Sequence, residues 1–476
     1  MPAAASGDPS SGHTATMYIK NRGELESHGN SVLRRAALDI AEYALERVNP
    51  YRATLDVVRL RGHRLFVGDL EYDLNSRGDI YVLGAGKASL PIARALEEVL
   101  GERIRYSMVA IKEGHHEATR IIRLAEASHP LPDTRGYEAA REALRLAHQA
   151  GKQDIVFTAI TGGSSALWPC PVEGLTLDDK HEVHRLLLEC GASIREINAV
   201  RKHLSRIKGG RLALAAFPAE VINLTVSDVT GDPYDYITCP TVPDTSTFAD
   251  ALKALERYNL WDKIPSSAVR YLRTATRECE NPRDFGHNRV HTFLLVKSSE
   301  VCEAAACKAA RLGFETEILT CEMEGDSGEL GKEFGHMLGT RKGSNSLALI
   351  AGGETTVRLG DGHGEGGPNQ EFACAAALAL SNDDQVVLSL DTDGTDGPTE
   401  LAGALVDTST ASHATGAGID ISLALARHDV SPLLRQLGDA LVTDHTGTNV
   451  NDLKVGLRGR PKLPRQPCTN RVPHHE

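Results

Sequence analysis

The sequence predicts an α/β fold of two domains, each a mainly parallel sheet flanked by helices, with the active site in the cleft between them. Two observations predict the class. Short apolar runs alternate with stretches of helical spacing along most of the 476 residues, the pattern of strand–helix–strand units. Several of those runs end in turns of glycine, serine, threonine or aspartate, and open α/β sheets bind ligands at such strand ends. A third observation predicts the division. The stretch "PRDFGHNR" at 282–289 separates a helical region from the apolar run "VHTFLLV", which sets the boundary between 284 and 285.

The elements follow in order. Residues 1–27 are expected to form a flexible tail. Their first sixteen, "MPAAASGDPSSGHTAT", are small and polar, without the apolar core of a signal peptide, and Met17 offers an alternative start. A Rossmann-like domain over 28–284 opens with apolar residues at helical spacing in 29–48 and a hairpin in 54–68. From 79 the alternation begins. "DIYVLGAG" is a strand, "KASLPIARALEEVL" a helix with Pro91 in its first turns, and "YSMVAI" a second strand. "TRGYEAAREALRLAHQAG" is a second helix and "DIVFTAITGG" a third strand. Helices fill 175–216, with 197–213 read as one cation-rich helix, before a strand at 219–226. The second domain, 285–457, repeats the alternation from "HTFLLV" to "QVVLSLDTDGTDG". Residues 458–476, rich in Pro and Arg, are expected to be a disordered tail.

Composition excludes several function classes. A net charge of −12 lacks the basic footprint that nucleic acid or an anionic membrane surface requires. Nine cysteines, an odd number with no CxxC pair, indicate unpaired thiols in a reducing compartment. There is no 18-residue apolar run, so no membrane span is expected. A cytoplasmic location is the resulting expectation.

The candidate chemistry sits at the strand ends. Gly84-Ala85-Gly86-Lys87 opens a helix, and Ser89 stands where a dinucleotide fingerprint wants its third glycine. A Walker P-loop fails here because Ala88 follows Lys87 and Tyr81 takes the place of the first glycine. What remains is a lysine beside backbone amides, suited to an anion, or an ordinary surface lysine on a βα turn. Gly162, Gly163 and Ser164 form a second turn of this kind. Asp228 and Asp232 flank Gly231, while Asp391, Asp393 and Asp396 crowd another turn; hard cations such as Mg²⁺ take one or two such carboxylates. The latter run is not an EF-hand, since Ala402 occupies its twelfth position. Arg201 and Lys208 fall on one face of the cation-rich helix.

Ten runs, in order, resemble the glycerate 2-kinase family, whose C-terminal part is the MOFRL domain. They are "VLGAGKAS", "HPLPDTRG", "TGGSSAL", "INAVRKHLSRIKGGRLA", "LTVSDVTGDPYDYI", "PTVPDTSTFADAL", "GGETTV", "GGPNQEFA", "DTDGTDGPTELAGALVD" and "TGTNVNDL". The resemblance covers roughly 30–457 and implies phosphorylation of D-glycerate at its 2-hydroxyl, dependent on ATP and Mg²⁺. It makes Lys87, Asp228 and Asp393 the expected catalytic residues. Expected to bind substrate or phosphate are Gly84, Gly86, Gly162, Gly163, Ser164, Arg201, Glu354, Asn369, Gln370 and Asn449. Asp228, Asp232 and Asp393 are the expected metal ligands. A homodimer is compatible with the sequence.

The chain departs from the family pattern at three places. Pro368 replaces the arginine of GGRNQE, Cys239 a glycine, and Asp444-His445 a Gly-Pro pair. Losing a buried charge-assisted contact of the arginine type costs ~2–4 kcal/mol. Three alternatives stay open: a kinase for another short sugar acid, an NAD(P)H-dependent hydroxypyruvate reductase, whose sequence support is the incomplete glycine turn at 84–89, and a non-catalytic anion-binding relative, suggested by Pro368.

Overall fold

Two six-stranded sheets lie at the centre of the computed structural model. It describes residues 17–461 except 115–117, 230, 232, 238, 277–278, 343–345, 361 and 382–383. The expected tail segments 1–16 and 462–476 lie outside the described residues. Strands β1 (Val58–Arg61), β2 (Arg64–Val67) and β3 (Leu70–Asp73) form a small antiparallel meander, which extends the hairpin read from 54–68 by one strand.

The first large sheet contains β4 (Ile80–Ala85), β5 (Ile104–Lys112), β6 (Leu124–Ala127), β7 (Ile155–Ile160), β8 (Glu220–Val226) and β9 (Val290–Val296). Their order is β6-β5-β4-β7-β8-β9, and every pair is parallel. A parallel sheet must be covered on both faces, and β4 shows how the sequence provides for this. Ile80 and Val82 join one apolar cluster, while Tyr81, Leu83 and Ala85 join the other. Strand β9 lies in the segment assigned by sequence to the second domain. It pairs with β8 from Val221↔Val290 onward, so the first sheet extends past the expected boundary at 284. A break in local pattern marks a loop but does not reveal which sheet the next strand joins.

The second sheet contains β10 (Glu315–Asp326), β11 (Leu347–Thr356), β12 (Gln385–Asp391), β13 (Gly403–Asp407), β14 (Ala440–Leu441) and β15 (Asp452–Arg458), in the order β10-β11-β15-β12-β13-β14. Only β10 and β11 pair in parallel. The last strand, β15, inserts antiparallel between β11 and β12, and β13 and β14 add further antiparallel pairs. The α/β class holds, but this sheet is mixed where a mainly parallel one was expected. Its strands still bury both faces. Ala348 and Ile350 face the helices Ser31–Arg47 and Glu300–Arg311; Leu347, Leu349 and Ala351 face Ser327–Thr340 and Pro368–Ala379.

The chain's beginning also corrects the expected domain limits. Residues 17–27 are no tail: Tyr18, Ile19 and Leu25 are buried, and the Lys20 amide donates to Val442 O at 2.8 Å. The helix Ser31–Arg47 packs on the second sheet. Its fully buried Arg34 donates to Asp407 Oδ2 and Asp439 Oδ1, both at 2.7 Å. Sequence order therefore differs from spatial grouping at the start of the chain.

Four further helices, Leu177–Glu189, Ile194–His203, Phe248–Arg257 and Ser266–Thr274, share an apolar cluster of their own and form a helical cap from the segments between β7 and β8 and between β8 and β9. The single helix expected over 197–213 is two. It stops at His203 and resumes at Arg211. Between them Ser205 Oγ accepts from the amides of Ile207 and Lys208, a local turn that competes with the helix.

Candidate functional site

The C-terminal ends of β4, β7 and β8 meet those of β11 and β12 where the two sheets adjoin. Lys87 follows β4, and its amide donates to Gly162 O at 2.8 Å, tying that turn to the one after β7. Its Nζ donates to Asp393 Oδ2 at 2.6 Å, across 306 residues of sequence. Asp393 follows β12, and its other oxygen accepts from the Thr395 amide and hydroxyl, both at 2.8 Å. The Asp393 amide donates to Asp391 Oδ1 at 3.0 Å. These bonds fix a lysine and a carboxylate from different sheets in one geometry.

Electrostatics reinforce the pair. Burial opposes the charge on Lys87, but Asp393, Asp391 and Asp228 outweigh it and raise its pKa. Burial likewise opposes the charge on Asp393, but Lys87 outweighs it and lowers the pKa. Burial, with Asp393 and Asp452 adding, drives Asp391 well above the carboxylate range.

Asp228 stands beside this pair. Burial raises its pKa, and Asn449 Nδ2 donates to its Oδ2 at 3.0 Å. Gly162 makes room for both residues. A Cβ there would overlap Asp228 Oδ2 and lie 2.7 Å from Asn449 Nδ2. At Gly163, where φ is +83°, the absent Cβ would lie 3.1 Å from Lys87 Cγ and 3.2 Å from the His129 ring. His129 is pushed down to about 4 by burial and by the nearby Lys87 and Lys112 charges. It is therefore a neutral imidazole at neutral pH.

A small recess at Lys87 and Asp393 shares Lys112, His445 and Gly447 with a cleft of about 1020 Å³. Asp444, where the family pattern has glycine, adopts φ +59° on the cleft wall. Glycine enters that conformation more readily than aspartate.

Several expected ligand-binding residues serve the protein's own structure. A Cβ on Gly84 would lie 2.6 Å from Ala159 O, and one on Gly86 would overlap Thr161 Oγ1, so both glycines admit the neighbouring strand. Asn369 and Gln370 are buried. Asn369 Nδ2 donates to Asp396 (3.2 Å) and Asp452 (2.8 Å), while its oxygen accepts from Ser389 and Lys454. Gln370 donates to Asp396 and Thr399 and accepts from Ser431. Their polar groups are satisfied internally, and they hold the start of the helix Pro368–Ala379 through Asp396. Pro368 is its first residue, where no backbone N–H is needed.

Glu354 is exposed at the end of β11, and partial desolvation, with Asp452 and Asp228 adding, raises its pKa. Ser164 is buried at the start of a short helix. Arg201 lies in the cap, near Lys180 and Lys208. Asp232 lies outside the described residues. His129 and Lys112 join the site without having been assigned to it by sequence, and Asp391, read there as one of a crowded group of carboxylates, lies beside Asp393. The run "HPLPDTRG" was the available signal for His129.

Among the described residues no group of three or more His, Cys, Asp or Glu forms a metal cage. Asp228 and Asp393 nevertheless both lie near Lys87. This fits Mg²⁺ held by one or two carboxylates with phosphate oxygens and water completing its shell.

Comparison with known proteins agrees with this architecture. Residues 36–273 match a family described as a domain of unknown function (DUF4147), and residues 347–452 match the MOFRL family. The glycerate 2-kinase of Pyrococcus horikoshii is 38% identical over 439 residues, which are 90% of this chain and 99% of the relative. This chain belongs to the glycerate 2-kinase family. A D-glycerate 2-kinase of Thermotoga maritima is also 38% identical, over 89% of this chain and 98% of its own length. The crystal structure of a glycerate kinase from T. maritima superposes with a TM-score of 0.77 at 37% identity, covering 90% of this chain and 99% of that one. Among the described residues of this family member, no helix is long and apolar enough to cross a membrane.

Proposed function

We propose that this chain transfers the terminal phosphoryl group of ATP to the 2-hydroxyl of D-glycerate, giving 2-phosphoglycerate. The observation that carries the reading is the Lys87–Asp393 pair, built from the C-terminal strand ends of two sheets, in a chain similar over most of its length to glycerate 2-kinases.

Phosphoryl transfer asks a protein chiefly for positioning and charge compensation. Lys87, kept protonated by Asp393, holds an anionic oxygen of the substrates. Asp393, kept ionised by Lys87, suits contact with Mg²⁺, which when bound supplies neutralisation of the phosphate oxygens. Asp228 has the raised pKa and the fixed orientation, through Asn449, of a group that accepts the 2-hydroxyl proton. Neutral His129 adds a polar group beside Lys87 without adding charge. The cytoplasm, with its ATP and reduced thiols, is the proposed location.

The test is ³¹P NMR of the protein with Mg²⁺, ATP and D-glycerate. A phosphomonoester signal at the position of 2-phosphoglycerate is expected. A signal of 3-phosphoglycerate alone, or no product from folded protein, would refute the reading.

A further inference from the structure

A second group of cations reaches, through Lys208, the same Thr161–Ser165 turn that Lys87 abuts. Lys180 belongs to the cap helix Leu177–Glu189, Arg201 to Ile194–His203, and Lys208 to the turn that follows. Lys180 is 9% exposed, and its Nζ has no hydrogen-bond partner among the described residues. Lys208 is 3% exposed and donates to Ser165 Oγ at 2.7 Å. No carboxylate pairs with any of the three among the described residues. The contrast with Lys202 is direct: next to Arg201 in sequence, it is paired with Asp235 and Asp244.

Burying unpaired cations is costly. Burial and the neighbouring positive charges push Lys180 down to about 7, and mainly burial pushes Lys208 down to about 8. Such a cluster is satisfied by a polyanion. Ser165 is two residues from Gly163, hence at most ~7 Å along the chain from the glycine that abuts Lys87.

We propose that Lys180, Arg201 and Lys208 form an oxyanion pocket that takes the phosphate chain of the phosphoryl donor, leaving the Lys87–Asp393 side to the acceptor. Three cations suit the multiple charges of a polyphosphate better than a single carboxylate. The assignment of that ligand rests on the kinase reading above.

Calorimetric titration of the whole protein with inorganic tripolyphosphate, without glycerate, tests the pocket apart from turnover. Lys180→Met and Lys208→Met should each weaken binding about 10- to 100-fold. Lys208→Arg should retain most of it, and D-glycerate affinity should be unchanged. Without anion, Lys180→Met should melt at a higher temperature than the parent, which also reports that it folds. Unchanged tripolyphosphate affinity in both methionine variants would overturn the proposal. So would loss of D-glycerate binding with tripolyphosphate binding intact, since the pocket would then belong to the carboxylate. If the parent protein makes no 2-phosphoglycerate yet binds tripolyphosphate through these residues, the kinase reading falls and the pocket stands.

Discussion

The turn Thr161–Ser165 is touched by two groups of cations that are treated in opposite ways. On one side Lys87 is answered by Asp393 at 2.6 Å, with Asp391 and Asp228 close by. On the other, Lys180, Arg201 and Lys208 have no acid among the described residues to answer them. A compensated lysine is rigid and stays charged, but it has little net attraction left for a distant anion. An uncompensated cluster attracts an anion strongly and pays for this in stability until one arrives. The difference suggests a division of labour: the first group positions reacting atoms, while the second captures charge.

The largest expected effect comes from breaking the compensated side. Lys87→Met should lower kcat at least ~1,000-fold, because the charge next to the reacting oxygens disappears. A coupled ADP assay, with circular dichroism as the folding check, measures it. The next variant removes compensation far from the chemistry. Arg34→Met leaves Asp407 and Asp439 buried without their cation and should cost about 3–5 kcal/mol of stability in urea denaturation. Activity per folded molecule should persist, because the lost contact is structural.

A smaller effect tests the claim that His129 is neutral. Its folded pKa of about 4 lies below its ordinary 6.5, so the penalty for charging it is full below pH 4 and gone above 6.5. Stability of the parent should therefore climb across that range by about 3 kcal/mol more than that of His129→Gln, measured by denaturation. The smallest effect concerns Asn449→Ala, which frees Asp228 from a single hydrogen bond. A loss of about 1 kcal/mol of transition-state stabilisation, or ~5-fold in kcat/KM, is expected from steady-state kinetics.

The parts of this arrangement that depend on local chemistry were legible in the sequence. Strand β4 and the turn to Lys87 could be read from "IYVLGAGKAS", because apolar residues followed by glycines have few structural uses. Asp228 and Asp393 were visible for the same reason, as acids at strand ends. Long-range pairing was not legible. Nothing near residue 290 shows that β9 joins the first sheet, and nothing near residue 452 shows that β15 enters the second between two earlier strands. Arg34 looks like a surface cation until Asp407 and Asp439 are placed beside it. Asn369 and Gln370 mislead in the opposite sense, because buried polar residues that serve Asp396 look like ligand contacts when only their type is known. Lys208 was grouped with Arg201 through a continuous helix that does not exist, yet the turn returns it to the same neighbourhood.

The most direct test of these roles is a crystal structure with D-glycerate, Mg²⁺ and a non-hydrolysable ATP analogue. The glycerate 2-hydroxyl is expected within hydrogen-bonding distance of Asp228, beside Lys87 and Asp393, and the phosphate chain against Lys208 and Arg201. Glycerate bound away from Lys87, or phosphates resting on other residues with the three cations still unpaired, would contradict them.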